Sequence, residues 1–133
     1  MFGLYSMLFI NFNSSSSQYG VWIPIKNTIV KSGTVILENS NIILDLTSGN
    51  IFVINFTQDS TIEILNLDDV LADNNSYVAN LKLTNAGNYT ITWPENFKWA
   101  GGIPTFTTDG IDEICIIFYS DGQITVNYAL DIK

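Results

Sequence analysis

The chain has 133 residues, 47 % of them hydrophobic and 14 % charged, which suits one folded domain and excludes a disordered chain. Thirteen acidic residues stand against five lysines, for a formal charge of −8, which excludes the positive field that nucleic acid or an anionic membrane requires. With no histidine and one cysteine, Cys115, there is no Ser-His-Asp or Cys-His catalysis, no internal disulfide and no His- or Cys-based zinc site.

The first twelve residues are almost wholly apolar, with Phe2, Leu4, Tyr5, Met7, Leu8, Phe9, Ile10 and Phe12, and Asn13 and Ser14 to Ser17 follow. A membrane span needs about 20 apolar residues, so this run is too short. It also lacks the positive start and clear cleavage site of a secretory signal. It reads either as a first strand or short helix of the domain, or as a docking segment on a polar tether. We adopt the second as the expectation, with an anchoring segment and Ser linker over residues 1–18 and a β-domain over 19–133.

From residue 19 onward the pattern is strand, turn, strand. Residues 21–30 are β-rich but carry Pro24, which predicts an edge or a bulge. After a turn at Ser32-Gly33 come strands over 34–38 and 41–46. In residues 51–57, Phe52, Ile54 and Phe56 share one face, and over 61–67 Ile62 and Ile64 point inward with Glu63 outward. Residues 68–76 form the longest polar connection. The next strand, 77–84, places Tyr77, Ala79, Leu81 and Leu83 on one face.

A Gly-containing hairpin turn is predicted at 85–88, and Tyr89, Ile91 and Trp93 then alternate with threonines. Residues 94–110, with two prolines and three glycines, predict an ordered, largely irregular loop. Residues 113–119 are apolar on both faces, as in a central or covered strand. Asp121-Gly122 signals a two-residue hairpin into 123–130. Nineteen Ile, seven Val and twelve Thr favour pleated surfaces, whereas five Ala and no Arg leave little for helices. The expected fold is all-β, an antiparallel, jelly-roll-like β-sandwich.

An ordered set of motifs runs through the second part of the chain. It reads Gly49-Asn50-Ile51-Phe52, then Asn88-Tyr89-Thr90-Ile91-Thr92-Trp93-Pro94, then Phe97-Lys98-Trp99-Ala100-Gly101-Gly102, then Pro104-Thr105, then Asp112 and Phe118-Tyr119-Ser120-Asp121-Gly122. This succession resembles a β-module of tailed-bacteriophage fibre and appendage proteins, over roughly residues 42–129. The resemblance implies a trimeric virion structural protein, a head fibre or capsid decoration, attached to capsid or other virion proteins through its N-terminus. A tail-fibre tip binding a receptor or host-surface glycan is the alternative, and a bacterial surface adhesin or small hydrolase-associated β-module is a second.

Trp93 and Trp99 lie six residues apart around Pro94, so both indoles are expected at one end of the domain. They form either a rigid corner plug or, with Pro94, Gly101, Gly102 and Pro104, an aromatic platform for a sugar. The acidic run Asp68, Asp69 and Asp73 has oxygens for calcium but lacks the ordered spacing of a calcium loop. Asp109, Asp112, Glu113 and Asp121 are the carboxylates open to glycosidase chemistry, which needs a facing pair at a set distance. The expectation is a protein with no enzymatic activity, no cofactor and no metal, with itself and virion proteins as partners.

Overall fold

The computed structural model describes residues 30–133 in full and, before them, the backbone of strands β1 (Tyr5–Asn13) and β2 (Gln18–Lys26). These two pair antiparallel as a separate ribbon, from Tyr5↔Lys26 to Asn13↔Gln18. Pro24 thus falls in a strand with one free edge, where its missing N–H is tolerated. The serine run and the side chains expected to make virion contacts, Phe2 to Phe12, lie outside the described residues.

Nine further strands make two sheets. Strands β3 (Val35–Glu38), β4 (Asn41–Asp45), β6 (Ser60–Leu65) and β8 (Ile91–Thr92) form one, in that order. The other runs β5 (Ile51–Asn55), β7 (Tyr77–Thr84), β10 (Ile111–Phe118), β11 (Ile124–Ala129) and β9 (Phe97–Trp99). Both sheets feed one hydrophobic core. Ile42, Leu44 and Ile62 come from the first, and Phe52, Leu81, Leu83, Ile116, Phe118 and Val126 from the second. The alternation read from the sequence holds in β5, β6 and β7.

The antiparallel expectation is corrected, because both sheets are mixed. Strands β4–β6, β6–β8, β5–β7 and β9–β11 pair parallel. The chain does not fold back after β4. From β4 to β9 it crosses to the opposite sheet at each connection, so strands two apart in sequence become parallel neighbours, as at Asn41↔Thr61 and Ile51↔Asn80. Leu46 and Phe56, at the starts of two such connections, are themselves buried, which draws the chain over the rim of the core.

Other turns differ from expectation for local reasons. Residues 85–88 are not a hairpin: a 3₁₀ turn, Ala86–Asn88, with Ala86 buried, carries the chain to the other sheet. The polar connection after β6 holds a short helix α1 (Leu67–Val70) and a 3₁₀ turn (Ala72–Asn74), with Leu67, Val70 and Leu71 against the core. The hairpin between β10 and β11 closes on three residues, with Tyr119 N–H donating to Gln123 O and Gly122 at φ 92°. Every non-glycine residue at positive φ among those described is Asn or Asp, the types that tolerate it best.

A polar lock joins the crossing after β4 to the start of β7. The Tyr77 hydroxyl shares its hydrogen between the carbonyls of Leu46, at 2.8 Å, and Gly49. Burial, with the nearby Asp45 carboxylate, pushes this phenol above its ordinary value. Asp45 is held below the usual carboxylate range by the Thr47 hydroxyl and Asn66 amide, at 2.7 and 2.8 Å. Its contribution is therefore complete above the ordinary carboxylate value and fades as pH falls through the lowered one.

The phenol has the opposite sign. Its raised folded value makes its contribution complete below pH about 10 and lost as pH climbs through the folded value. Tyr77→Phe is expected to cost about 1 kcal/mol at neutral pH and to flatten this alkaline limb. Urea melts from pH 8 to 11 check both effects, and an unchanged alkaline slope rules the lock out.

Candidate functional site

The site with most of the motif residues lies where β8 hands over to β9. Pro94 ends β8, the Phe97 N–H donates to Pro94 O at 3.1 Å, and the chain re-enters on the edge of the other sheet beside β11. The loop expected to be irregular therefore contains a strand. This turn brings Trp93 and Trp99 edge to face, with centroids 5.1 Å apart and planes at 72°. Phe97 lies 6.4 Å from Trp93 and 6.3 Å from Phe118, and Phe106 lies 5.9 Å from Trp93 and 6.1 Å from Trp99.

Such edge-to-face pairs add to the area each ring buries. Trp93 is only 8 % exposed, so little of its ring is open for a sugar to stack on. Trp99 is half-buried, with Tyr128 at 6.5 Å. Gly101 and Gly102 take φ of 75° and 90° in the turn that follows, where the Gly102 N–H donates to Trp99 O at 3.2 Å. A Cβ on Gly102 would meet nothing within 4 Å, so dihedral freedom rather than space is what glycine supplies there.

Two hollows flank Trp93. One, of about 510 Å³, is lined by Glu63, Leu67, Pro94, Glu95, Asn96 and Phe118 among others. The other, of about 240 Å³, lies against Tyr89, Ile91, Ile103, Pro104 and Phe106. The larger combines an apolar floor with two exposed carboxylates and an amide, a chemistry suited to a hydroxyl-rich ligand.

The burial of one carboxylate escaped the sequence reading. Asp112 is fully buried, and its Oδ2 accepts the Thr107 N–H at 2.8 Å. Its Oδ1 accepts the Thr107 hydroxyl at 2.6 Å and the Asp131 N–H at 2.9 Å. The carboxylate thereby ties the aromatic loop and the C-terminal segment to β10. Of the other carboxylates considered for catalysis, Asp109 accepts from the Asn88 amide at 3.0 Å and Asp121 from the Gln123 N–H at 2.9 Å. Glu113 projects from the outer face of the five-stranded sheet. Among the described residues, no three His, Cys, Asp or Glu side chains cluster to hold a metal ion.

That outer face is the second feature of note. Ladder register sets its side chains in rows: Ile51, Asn80, Cys115 and Asn127 in one, Val53, Lys82, Glu113 and Ala129 in the next. Val78, Ile117, Thr125 and Lys98 form a third. No family model, no curated protein and no solved structure matches the chain.

Proposed function

We propose that this chain is a non-enzymatic structural protein of a bacteriophage virion, a small head-fibre or capsid-decoration protein acting as a homotrimer. The two sheets on their common core are read as a β-sandwich that works through shape and buried area rather than chemistry. One observation supports the reading above others. The aromatic residues that carry the motif resemblance, Trp93, Phe97, Trp99 and Phe118, pack against one another in a single corner. A motif used as packing is what a rigid appendage module needs.

Attachment is assigned to the N-terminal apolar run, and the pairing of β1 with β2 makes the whole ribbon the unit to remove. Purified particles are expected to contain the chain at a fixed copy number by quantitative mass spectrometry. A variant lacking residues 1–29 is expected to fold cooperatively and to be missing from particles. Absence of the full chain from particles overturns the virion reading. Particles that still carry the shortened chain overturn the attachment.

A receptor- or glycan-binding tip is the second reading, favoured by the Glu63, Glu95 and Asn96 hollow beside Trp93. A glycan array on the full chain, repeated with Asn96→Ala, distinguishes it: specific binding lost in the variant supports a tip, and an empty array removes it.

A further inference from the structure

We propose that the outer face of the five-stranded sheet is where copies of this chain meet, three around an axis parallel to β10, with Lys82 of one copy against Glu113 of the next. This deepens the homotrimer in the reading above and takes the number of copies from it.

The first argument is charge. The face carries Lys82 and Lys98 against Glu113, a net of +1, leaving 12 of the 13 acidic residues and 3 of the 5 lysines to the rest of the chain, a net of −9. Two molecules of such a protein repel on most approaches, and this face is where they meet without massing carboxylates.

The second argument is apolar area. Val53 and Val78 are 58 % and 44 % exposed here, and Ile51, Ile111, Cys115 and Ile117 are half-buried beside them. Two shallow hollows, of about 250 and 390 Å³, flank Asn80 and Glu113 and give the face relief into which a neighbour can lock.

The third argument is register. Lys82 and Glu113 are partners in the β7–β10 ladder and so stand at the same height along the strands. Yet they form no ion pair, and among the described residues the salt bridge is Lys133–Asp131, at 3.1 Å. Rotation about an axis parallel to the strands preserves height. It therefore brings Lys82 of one copy level with Glu113 of the next, and the pairing closes around the ring.

Cys115, the only thiol, lies in the middle of the face and reports its coverage. The test uses the full chain, combining sedimentation velocity with the rate of Cys115 labelling by a maleimide from 0.1 to 100 μM. The expected result is a trimer in which labelling slows at least tenfold as the complex forms. Lys82→Glu and Glu113→Lys are each expected to raise the half-association concentration about tenfold, and the double reversal to restore it within threefold.

A trimer whose Cys115 stays reactive, or a double reversal without rescue, overturns the face while the trimer stands. Protection of Cys115 in molecules that sediment as monomers also overturns it, since the cover would then lie within one chain. A chain that stays monomeric throughout overturns the face and the homotrimer together.

Discussion

Trp93→Ala is expected to lower the unfolding free energy by about 3–5 kcal/mol, the range for removing a large aromatic from a packed core. The indole is 8 % exposed and touches three other rings, with centroids 5.1 to 6.4 Å away. Alanine leaves a void between two existing hollows, and collapse there is opposed by the strands on either side. For a chain of this size the midpoint temperature should fall by about 10–20 °C at fixed protein concentration. Trp93→Phe keeps a ring in place and should recover about half of the loss. Differential scanning calorimetry on the three proteins checks the series. A shift below about 1 kcal/mol for the alanine variant would mean that the indole is not a core residue and would return it to the ligand reading.

The faces of the strands were legible because side-chain alternation is a local signal. Phe52, Ile54 and Phe56, and Ala79, Leu81 and Leu83, point inward as their spacing predicts, and the central place of β10 follows from its two apolar faces. Strand pairing was not legible. The parallel partners Asn41↔Thr61, Ile51↔Asn80 and Ser60↔Ile91 are 20, 29 and 31 residues apart, and nothing local marks a chain that crosses between sheets rather than turning back. Glycine and proline around residues 97–99 likewise hid β9, whose three residues owe their strand geometry to the parallel partner β11.

The candidate site divides in the same way. The Trp93–Trp99 contact was readable from two indoles either side of a proline, because a turn there leaves the rings little other space. What the spacing did not convey is that Phe106, seven residues beyond Trp99 and outside any strand, completes the cluster and closes Trp93 off. Asp112 was readable as a carboxylate but not as a buried one. Its signal was its phase: Asp112, Ile114, Ile116 and Phe118 are alternate residues of one strand, and the last three are core. A carboxylate in an inward phase needs donors, and Thr107, five residues upstream, supplies two of them.

Asp112→Ala is the second large effect expected, a loss of about 3–5 kcal/mol, as when one partner of a buried charged hydrogen-bond network is removed. The carboxylate receives three hydrogen bonds, two of them from main-chain N–H groups that have no other acceptor assigned. Alanine strands those donors against a fully buried position and frees two segments at once, the loop carrying Phe106 and the chain beyond β11. Asp112→Asn is the finer probe. Its amide retains one oxygen but turns an NH₂ toward one of the donors, so about 1.5–3 kcal/mol should be lost with the side-chain volume kept. The accompanying signature is local: the Thr107 and Asp131 amides should exchange hydrogen with solvent at least tenfold faster, while those in the β7–β10 ladder change only with global stability. Uniform acceleration across all amides would show that Asp112 acts through overall stability alone. Unchanged exchange at Thr107 and Asp131 would show that it ties neither segment down.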